Sequence, residues 1–288
     1  MLQSIKQLLI ENLKDRITPE QIELIPSGYQ KTGDIVIVDI NMGIIEFEDE
    51  IGKIILQNIP NTRTVCSRTG EITGDDRMPQ LEVIAGVGNT ETVHKENGCL
   101  YTLDVAKIMF SQGNLKERGR LVKIVKKHET VVDMFAGIGY FSIPIARFVR
   151  PSKIFSIDIN PTAILYLQKN IQLNKVDGRI EVILGDCREV VKKLGKIADR
   201  IIMGYLPDTR KFLDSAFAVL KEKGGIIHYH DVFKENELWD RPVEILTKVA
   251  EKNGYVLDKI LEKTIVKSYA PRVSHVVVDA KFRKNRKI

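Results

Sequence analysis

The stretch Val131-Val132-Asp133-Met134-Phe135-Ala136-Gly137-Ile138-Gly139-Tyr140-Phe141-Ser142 decides the fold. It opens as a buried strand, turns on Gly137 and Gly139, and runs into an apolar helix expected over 141–148. Glycine at such a turn admits backbone angles that other residues resist and lets a ligand approach the main chain closely. Nineteen residues beyond Gly139, a second apolar strand (153–157) ends in Asp158. An acid at that distance in a doubly wound sheet is placed to accept from ribose hydroxyls. The pattern predicts a nucleoside site.

Missing features narrow the ligand. A dinucleotide fingerprint asks for a third glycine where Ser142 stands, and no Gly-x-x-x-x-Gly-Lys-Ser/Thr loop occurs anywhere. Asp133, just before the turn, would repel a phosphate and suit an ammonium group. S-adenosylmethionine has an ammonium, a sulfonium and a ribose, and no phosphate, so it is the implied cofactor. Asp186 ends a third strand in Ile183-Leu184-Gly185-Asp186-Cys187. Ligands of open α/β sheets bind beyond the carboxyl ends of strands, which puts the Asp186 carboxylate and the Cys187 backbone toward the adenine. An Asp capping the next helix is the competing reading of the same residue.

The 288 residues suffice for one large or two modest domains, and 43% hydrophobic content excludes a disordered chain. No apolar run approaches a membrane span, and the N-terminus reads as an amphipathic helix interrupted by Lys6, Glu11, Lys14 and Asp15, not a signal peptide. Three cysteines without paired spacing indicate neither a disulfide framework nor a zinc site, and point to the reducing cytoplasm. Net charge is +6, from 44 basic and 38 acidic residues. Lys116, Arg118, Arg120, Lys123, Lys126 and Lys127 cluster before the glycine turn, and the chain closes on a basic tail from Lys281. Basic groups beside a cofactor site favour a polyanionic substrate. High Lys, Glu and Ile usage hints at a heat-adapted source.

Helices are expected over 2–15, after the Thr18-Pro19 cap, and over 47–58; strands over 35–38, 64–67, 81–85, 91–95 and 99–103; and a mobile loop over 70–79. This makes residues 1–114 a small α+β module. From Leu115 helix and strand alternate, with strands over 130–134, 153–157, 180–184, 200–203 and 225–230 and a closing antiparallel pair over 259–268 and 274–282. Residues 115–288 therefore read as an α/β domain, a doubly wound Rossmann-like sheet of the class I methyltransferase type.

The fourth strand ends in Met203-Gly204-Tyr205-Leu206-Pro207, where many amino-methylating enzymes hold an Asn or Asp that contacts the target amine. Gly204 supplies no such acceptor. His228 and His230 share a strand face, but only Asp231 stands nearby as a third ligand, so packing or substrate contact is favoured over a metal. Tyr205 and Tyr229 fall near the expected site and could stack on a base.

Three segments carry a resemblance: Asp104-Val105-Ala106-Lys107-Ile108-Met109-Phe110-Ser111, then Asn114-x-Lys116-Glu117-Arg118, then Asp133 to Gly139. They resemble the enzymes that modify the guanosine beside the tRNA anticodon, the guanine-N1 methyltransferases and their wyosine-pathway relatives. The 198–205 and 226–230 segments and the closing Tyr269-Ala270-Pro271-x-x-x-His275-Val276-Val277 look like the wyosine aminocarboxypropyltransferases in particular. The resemblance covers roughly residues 90–282, and residues 1–90 match more loosely. It implies cofactor contacts at Ser111, Arg118, Asp158, Asp186 and Cys187, with Ser111 and Arg118 holding the methionine part; Asp133, Phe135 and Gly137 of the glycine turn complete the candidate cofactor site. The acid matching Asp158 is commonly a glutamate in the family, so the ribose contact is made here by a shorter side chain.

The resemblance implies transfer of the 3-amino-3-carboxypropyl group of S-adenosylmethionine to carbon-7 of the 4-demethylwyosine base in tRNA-Phe. A carbon acceptor suits the missing Asn at Gly204. No catalytic base is identified, and no metal, membrane or protein partner is called for. The rival readings are a tRNA guanine-N1 methyltransferase, a bifunctional enzyme, and a catalytically silent tRNA-binding protein. The N-terminal module is expected to help dock the tRNA.

Overall fold

The computed structural model describes residues 4–73, 78–110 and 112–285. Contacts group the chain into two compact units, Met1–Lys95 with Leu100–Phe110, and Glu96–Cys99 with Ser111–Ile288. In the first, α1 (Ile5–Leu13) and α2 (Pro19–Leu24) open on capping boxes, Ser4 with Gln7 and Thr18 with Gln21. A four-stranded sheet runs in the order β1 (Gln30–Thr32), β2 (Ile35–Val38), β3 (Thr64–Thr73) and β4 (Met78–Gly86), with α3 (Glu48–Asn58) packed on β3 and β4. Leu9, Leu13, Val36, Val38, Ile51, Ile55 and Val65 form its core. β5 (Glu91–Glu96) and β6 (Cys99–Asp104) make a separate pair.

The expected loop over 70–79 is largely strand. β3 continues to Thr73 and β4 resumes at Met78, while residues 74–77 lie outside the described residues. Register shifts on either side of Gly70 absorb the irregular sequence. Pro79 is tolerated because β4 is an edge strand, where a missing N–H breaks no ladder.

In the second unit, α4 (Leu115–Ile124) precedes β7 (Thr130–Asp133), the short α5 (Ser142–Pro144), β8 (Lys153–Asp158), α6 (Pro161–Leu173), β9 (Ile180–Leu184), α7 (Cys187–Leu194), β10 (Arg200–Met203), α8 (Leu213–Val219), β11 (Gly224–Lys234), α9 (Asp240–Lys252), β12 (Tyr255–Ala270) and β13 (Val273–Lys284). The sheet order is β12-β13-β11-β10-β7-β8-β9. The five apolar runs pair in parallel, and β13 inserts antiparallel between β11 and β12. Continuous apolar strands suit a sheet covered on both faces. From β7 the chain winds outward to β8 and β9, then returns to β10 on β7's other side. That reversal makes the carboxyl ends of β7 and β10 the topological switch point, the place where such sheets take ligands.

The helix expected over 141–148 is present over 142–149, with a change of winding inside it. Pro144 has no N–H to donate to the preceding turn, so α5 ends there and Ile145–Val149 continues as one wider π turn. Among the described residues, no helix is long and apolar enough to cross a membrane.

Candidate active site at the carboxyl edge of the sheet

The glycine turn is built by packing as well as by dihedral need. Gly137 has φ +54° and Gly139 +98°; a Cβ on the first would fall 2.6 Å from the Tyr140 ring, and on the second 2.5 Å from Ile143. Each is strained or blocked for any other residue. The Gly137 N–H donates to Asp158 Oδ2 at 2.6 Å, and the Asn160 N–H donates to Oδ1 at 2.9 Å. Asp158 is thereby tied to the turn from the neighbouring strand end.

Asp133 is fully buried at the end of β7. The Ser142 hydroxyl donates to its Oδ2 at 2.7 Å, and the Ser156 hydroxyl donates in turn to Ser142 Oγ at 2.7 Å. Its Oδ1 is buried with no hydrogen-bond partner among the described residues. Burial pushes the Asp133 carboxyl up to about 7, against the opposing Ser142 bond. A buried carboxylate with an oxygen to spare is a receptor for a cationic N–H, and fits the ammonium of S-adenosylmethionine. The binding of a cation there has a definite pH sign. Below about pH 7 the carboxyl is protonated and must release its proton on binding. Affinity for S-adenosylmethionine is therefore expected to rise up to about tenfold per pH unit toward pH 7 and level off above it. Calorimetry at several pH values in buffers of different ionisation enthalpy measures this; a flat profile would remove Asp133 from the ammonium site.

Arg118, on α4, is buried, its side chain only 3% exposed. Both Glu96 oxygens lie 2.8 Å from its Nη1, and its guanidinium carbon sits 4.6 Å from the centre of the Tyr140 ring. Arg120 is held by Glu117 (2.8 and 2.7 Å) and by Asp279 (2.6 and 3.1 Å). The basic cluster expected before the glycine turn is thus divided. Lys116, Lys123, Lys126 and Lys127 face solvent, whereas Arg118 and Arg120 are internal and matched by carboxylates. Ser111 lies outside the described residues.

Asp186 caps α7, accepting the Arg188 N–H at 2.8 Å, and both its oxygens lie 3.0 Å from Arg188 Nε. The Arg188 bond, ahead of burial, holds its carboxyl below the usual range. Capping is thus what the structure displays, with the carboxylate still partly exposed at the strand end. Burial pushes the adjacent Cys187 thiol up to about 12, so that side chain is inert. Phe135 packs edge-on against Phe212 (4.9 Å) and tilted against Tyr205 (5.1 Å), a half-buried aromatic group at the ends of β7 and β10. A Cβ at Gly204 would fall 2.8 Å from the Phe141 ring, which gives the missing Asn a packing cause too.

Tyr229 is buried and donates to Asp231 at 2.6 Å, so it stacks on no ligand. His228 and His230 are buried in the sheet face, His228 between Arg200 (2.6 Å) and Asp279 (2.6 Å) and His230 beside His275 (3.1 Å). Among the described residues, no cluster of three or more His, Cys, Asp or Glu is placed to hold a metal ion. The sequence reading missed Glu96 and Tyr140 at Arg118, Ser142 and Ser156 behind Asp133, and Arg188 on Asp186. Only Ser142 and Arg188 lie near enough in sequence to have been suspected.

Residues 92–258 match the TRM5/TYW2 methyltransferase domain, and residues 9–90 match the TYW2 N-terminal domain. The chain belongs to the TRM5/TYW2 family. It is 49% identical over 257 residues to the tRNA(Phe) (4-demethylwyosine(37)-C(7)) aminocarboxypropyltransferase of Methanocaldococcus jannaschii, covering 89% of this chain and 98% of that one. It is 40% identical over 262 residues to the tRNA (guanine(37)-N(1))-methyltransferase Trm5b of the same organism, covering 91% of this chain and 73% of the relative. The crystal structure of Pyrococcus horikoshii TYW2 in complex with MeSAdo superposes with a TM-score of 0.83 at 36% identity, covering 97% of this chain and 99% of that one.

Proposed function

We propose that this chain transfers the 3-amino-3-carboxypropyl group of S-adenosylmethionine to carbon-7 of 4-demethylwyosine beside the anticodon of tRNA-Phe, releasing methylthioadenosine. The observation that carries this is the 49% identity, across 98% of the relative's length, to an aminocarboxypropyltransferase acting at that atom. The guanine-N1 methyltransferase reading stands second, since the chain spans only 73% of that relative and presents Gly204 where an amine-contacting side chain would stand.

When bound, S-adenosylmethionine supplies a sulfonium whose γ-carbon is electrophilic. The chain's own residues would hold its parts as follows. Asp158 accepts from the ribose hydroxyls, and Asp186 with the Cys187 backbone meets the adenine. Gly137 lets the main chain approach and Phe135 borders the site. Asp133 receives the ammonium, while Arg118 and Ser111 take the carboxylate. Tyr205 offers its ring to the planar base. Holding the two reactants in line is the main contribution asked of such a site.

The N-terminal unit is assigned to docking the tRNA, and we take the cytoplasm as the compartment in which it meets that substrate. The exposed lysines of α4 and the segment after it serve the tRNA backbone. In the closing basic segment Lys281 and Arg283 already pair with Asp258, so their contribution is smaller than their count suggests.

The test is mass spectrometry of nucleosides from tRNA-Phe carrying the precursor, after incubation with enzyme and S-adenosylmethionine. An aminocarboxypropyl increment with released methylthioadenosine is expected. A methyl increment with S-adenosylhomocysteine would put the methyltransferase reading in its place.

A further inference from the structure

A sulfonium has three attached carbons, and the methyl is the least hindered toward displacement. An enzyme that delivers the γ-carbon must therefore hold the methionine chain in one orientation. An arginine that grips the carboxylate does so only if it is itself held, because its side chain is long and flexible. Arg118 is held on two sides. Glu96 faces its Nη1 with both oxygens at 2.8 Å, both side chains being 5% exposed or less, and the Tyr140 ring lies beneath the guanidinium at 4.6 Å.

Each partner is itself anchored. Glu96 precedes Asn97 (φ +47°) and Gly98 (φ +76°), a residue pair suited to a tight hairpin turn. Asn97 Nδ2 donates to the Leu115 carbonyl at 3.1 Å, at the start of the helix that bears Arg118. Gly98 abuts Phe148, with room for a Cβ only at 3.1 Å. Tyr140 is fixed from behind by Gly137, whose Cβ would fall 2.6 Å from the ring. The glycine turn that makes the nucleoside site thus also sets the surface on which Arg118 rests. A buried ion pair is weak support for stability, since an apolar pair often serves as well. Its presence at this arginine calls for another role.

We infer that Glu96 and Tyr140 are positioning residues that fix Arg118, and through it choose which sulfonium carbon faces the acceptor. This rests on the reading that Arg118 takes the donor's carboxylate. In the correct orientation the Cγ–S bond breaks, its electron pair stays on sulfur as methylthioadenosine, the carbon-7–Cγ bond forms, and the carbon-7 proton is lost. With the chain loosened, the methyl–S bond breaks instead, its electron pair stays on sulfur as S-adenosylhomocysteine, the carbon-7–methyl bond forms, and the carbon-7 proton is lost.

The experiment uses the full chain with S-adenosylmethionine and precursor-bearing tRNA, and compares Glu96→Gln, Tyr140→Leu and Tyr140→Phe. The readouts are KM for S-adenosylmethionine and the ratio of methylthioadenosine to S-adenosylhomocysteine. Glu96→Gln and Tyr140→Leu are expected to raise KM by about tenfold or more and to yield S-adenosylhomocysteine, since small misplacements of a reacting group cost large factors. Tyr140→Phe, which keeps the ring face, restores what Tyr140→Leu loses. A loss of folded protein lowers kcat and leaves the product ratio and KM alone, so wild-type ratio and KM in both variants overturn the inference. If Arg118→Ala at the same time loses binding, the cofactor reading of Arg118 survives that failure. Unchanged binding in Arg118→Ala removes both.

Discussion

Arg118→Ala is expected to weaken S-adenosylmethionine binding by about 10- to 100-fold, the usual worth of a charge-assisted hydrogen bond, and to cost about 3–5 kcal/mol of folding stability. The two losses have different origins. Binding falls because the fork that receives the carboxylate is gone. Stability falls because Glu96, on a side chain 5% exposed, is left as a buried carboxylate without its countercharge. The double variant Glu96→Ala with Arg118→Ala separates them. Removing both charges leaves no unpaired ion, so urea unfolding should recover most of the lost stability. Calorimetry should show that the affinity does not return. Full affinity in Arg118→Ala would take this arginine out of the methionine site, whatever its effect on stability.

Arg118 also marks the limit of what the sequence discloses. The strands from 130 to 230 were legible because continuous apolar runs between turn residues have few other uses. The glycine turn and the acids Asp133, Asp158 and Asp186 were legible because their spacing follows the winding of the sheet. Arg118 and Arg120 read as members of one basic cluster suited to a polyanionic substrate, since Lys116, Lys123, Lys126 and Lys127 surround them, and only the resemblance set Arg118 apart as a methionine contact. What distinguishes them is a partner far along the chain: Glu96 is 22 residues from Arg118, and Asp279 is 159 from Arg120. No local rule reports such pairings. The helix expected over 141–148 is there, and what apolar periodicity did not disclose is its change to a wider turn after Pro144, which has no N–H to donate. Asp186 was legible in position but ambiguous in role, because a strand-end acid and a helix N-cap are the same residue here.

The same pairings set the response to acid. Arg200 Nη1 lies 2.6 Å from His228 Nε2, and a guanidinium only donates, so Nε2 accepts and the proton sits on Nδ1, where it is given to Asp279. His228 is thereby a neutral ring of one tautomer, and burial lowers its pKa. His230 and His275 pack together, with Phe141 against one face of His230 and Glu117 at 3.9 Å, and burial brings both down to about 3. An unfolded histidine binds its proton near pH 6.5. Between that value and about 3 the unfolded chain takes up protons that the folded chain refuses, so this stability is present above pH 6.5 and drains as the pH falls. For His230 and His275 together the slope is roughly 3 kcal/mol per pH unit. Below about pH 4 Asp279 and Glu129 act in the same sense, since their folded pKa values are lowered by His228, Arg120 and Arg200 in spite of burial. The protein is expected to unfold cooperatively on acidification to about pH 5 while showing little pH dependence from 7 to 8. His230→Gln should flatten the curve by about one proton. Urea unfolding across pH 4.5–8 measures both, and a curve that stays flat down to pH 5 would mean that these histidines titrate freely and are not held neutral by the fold.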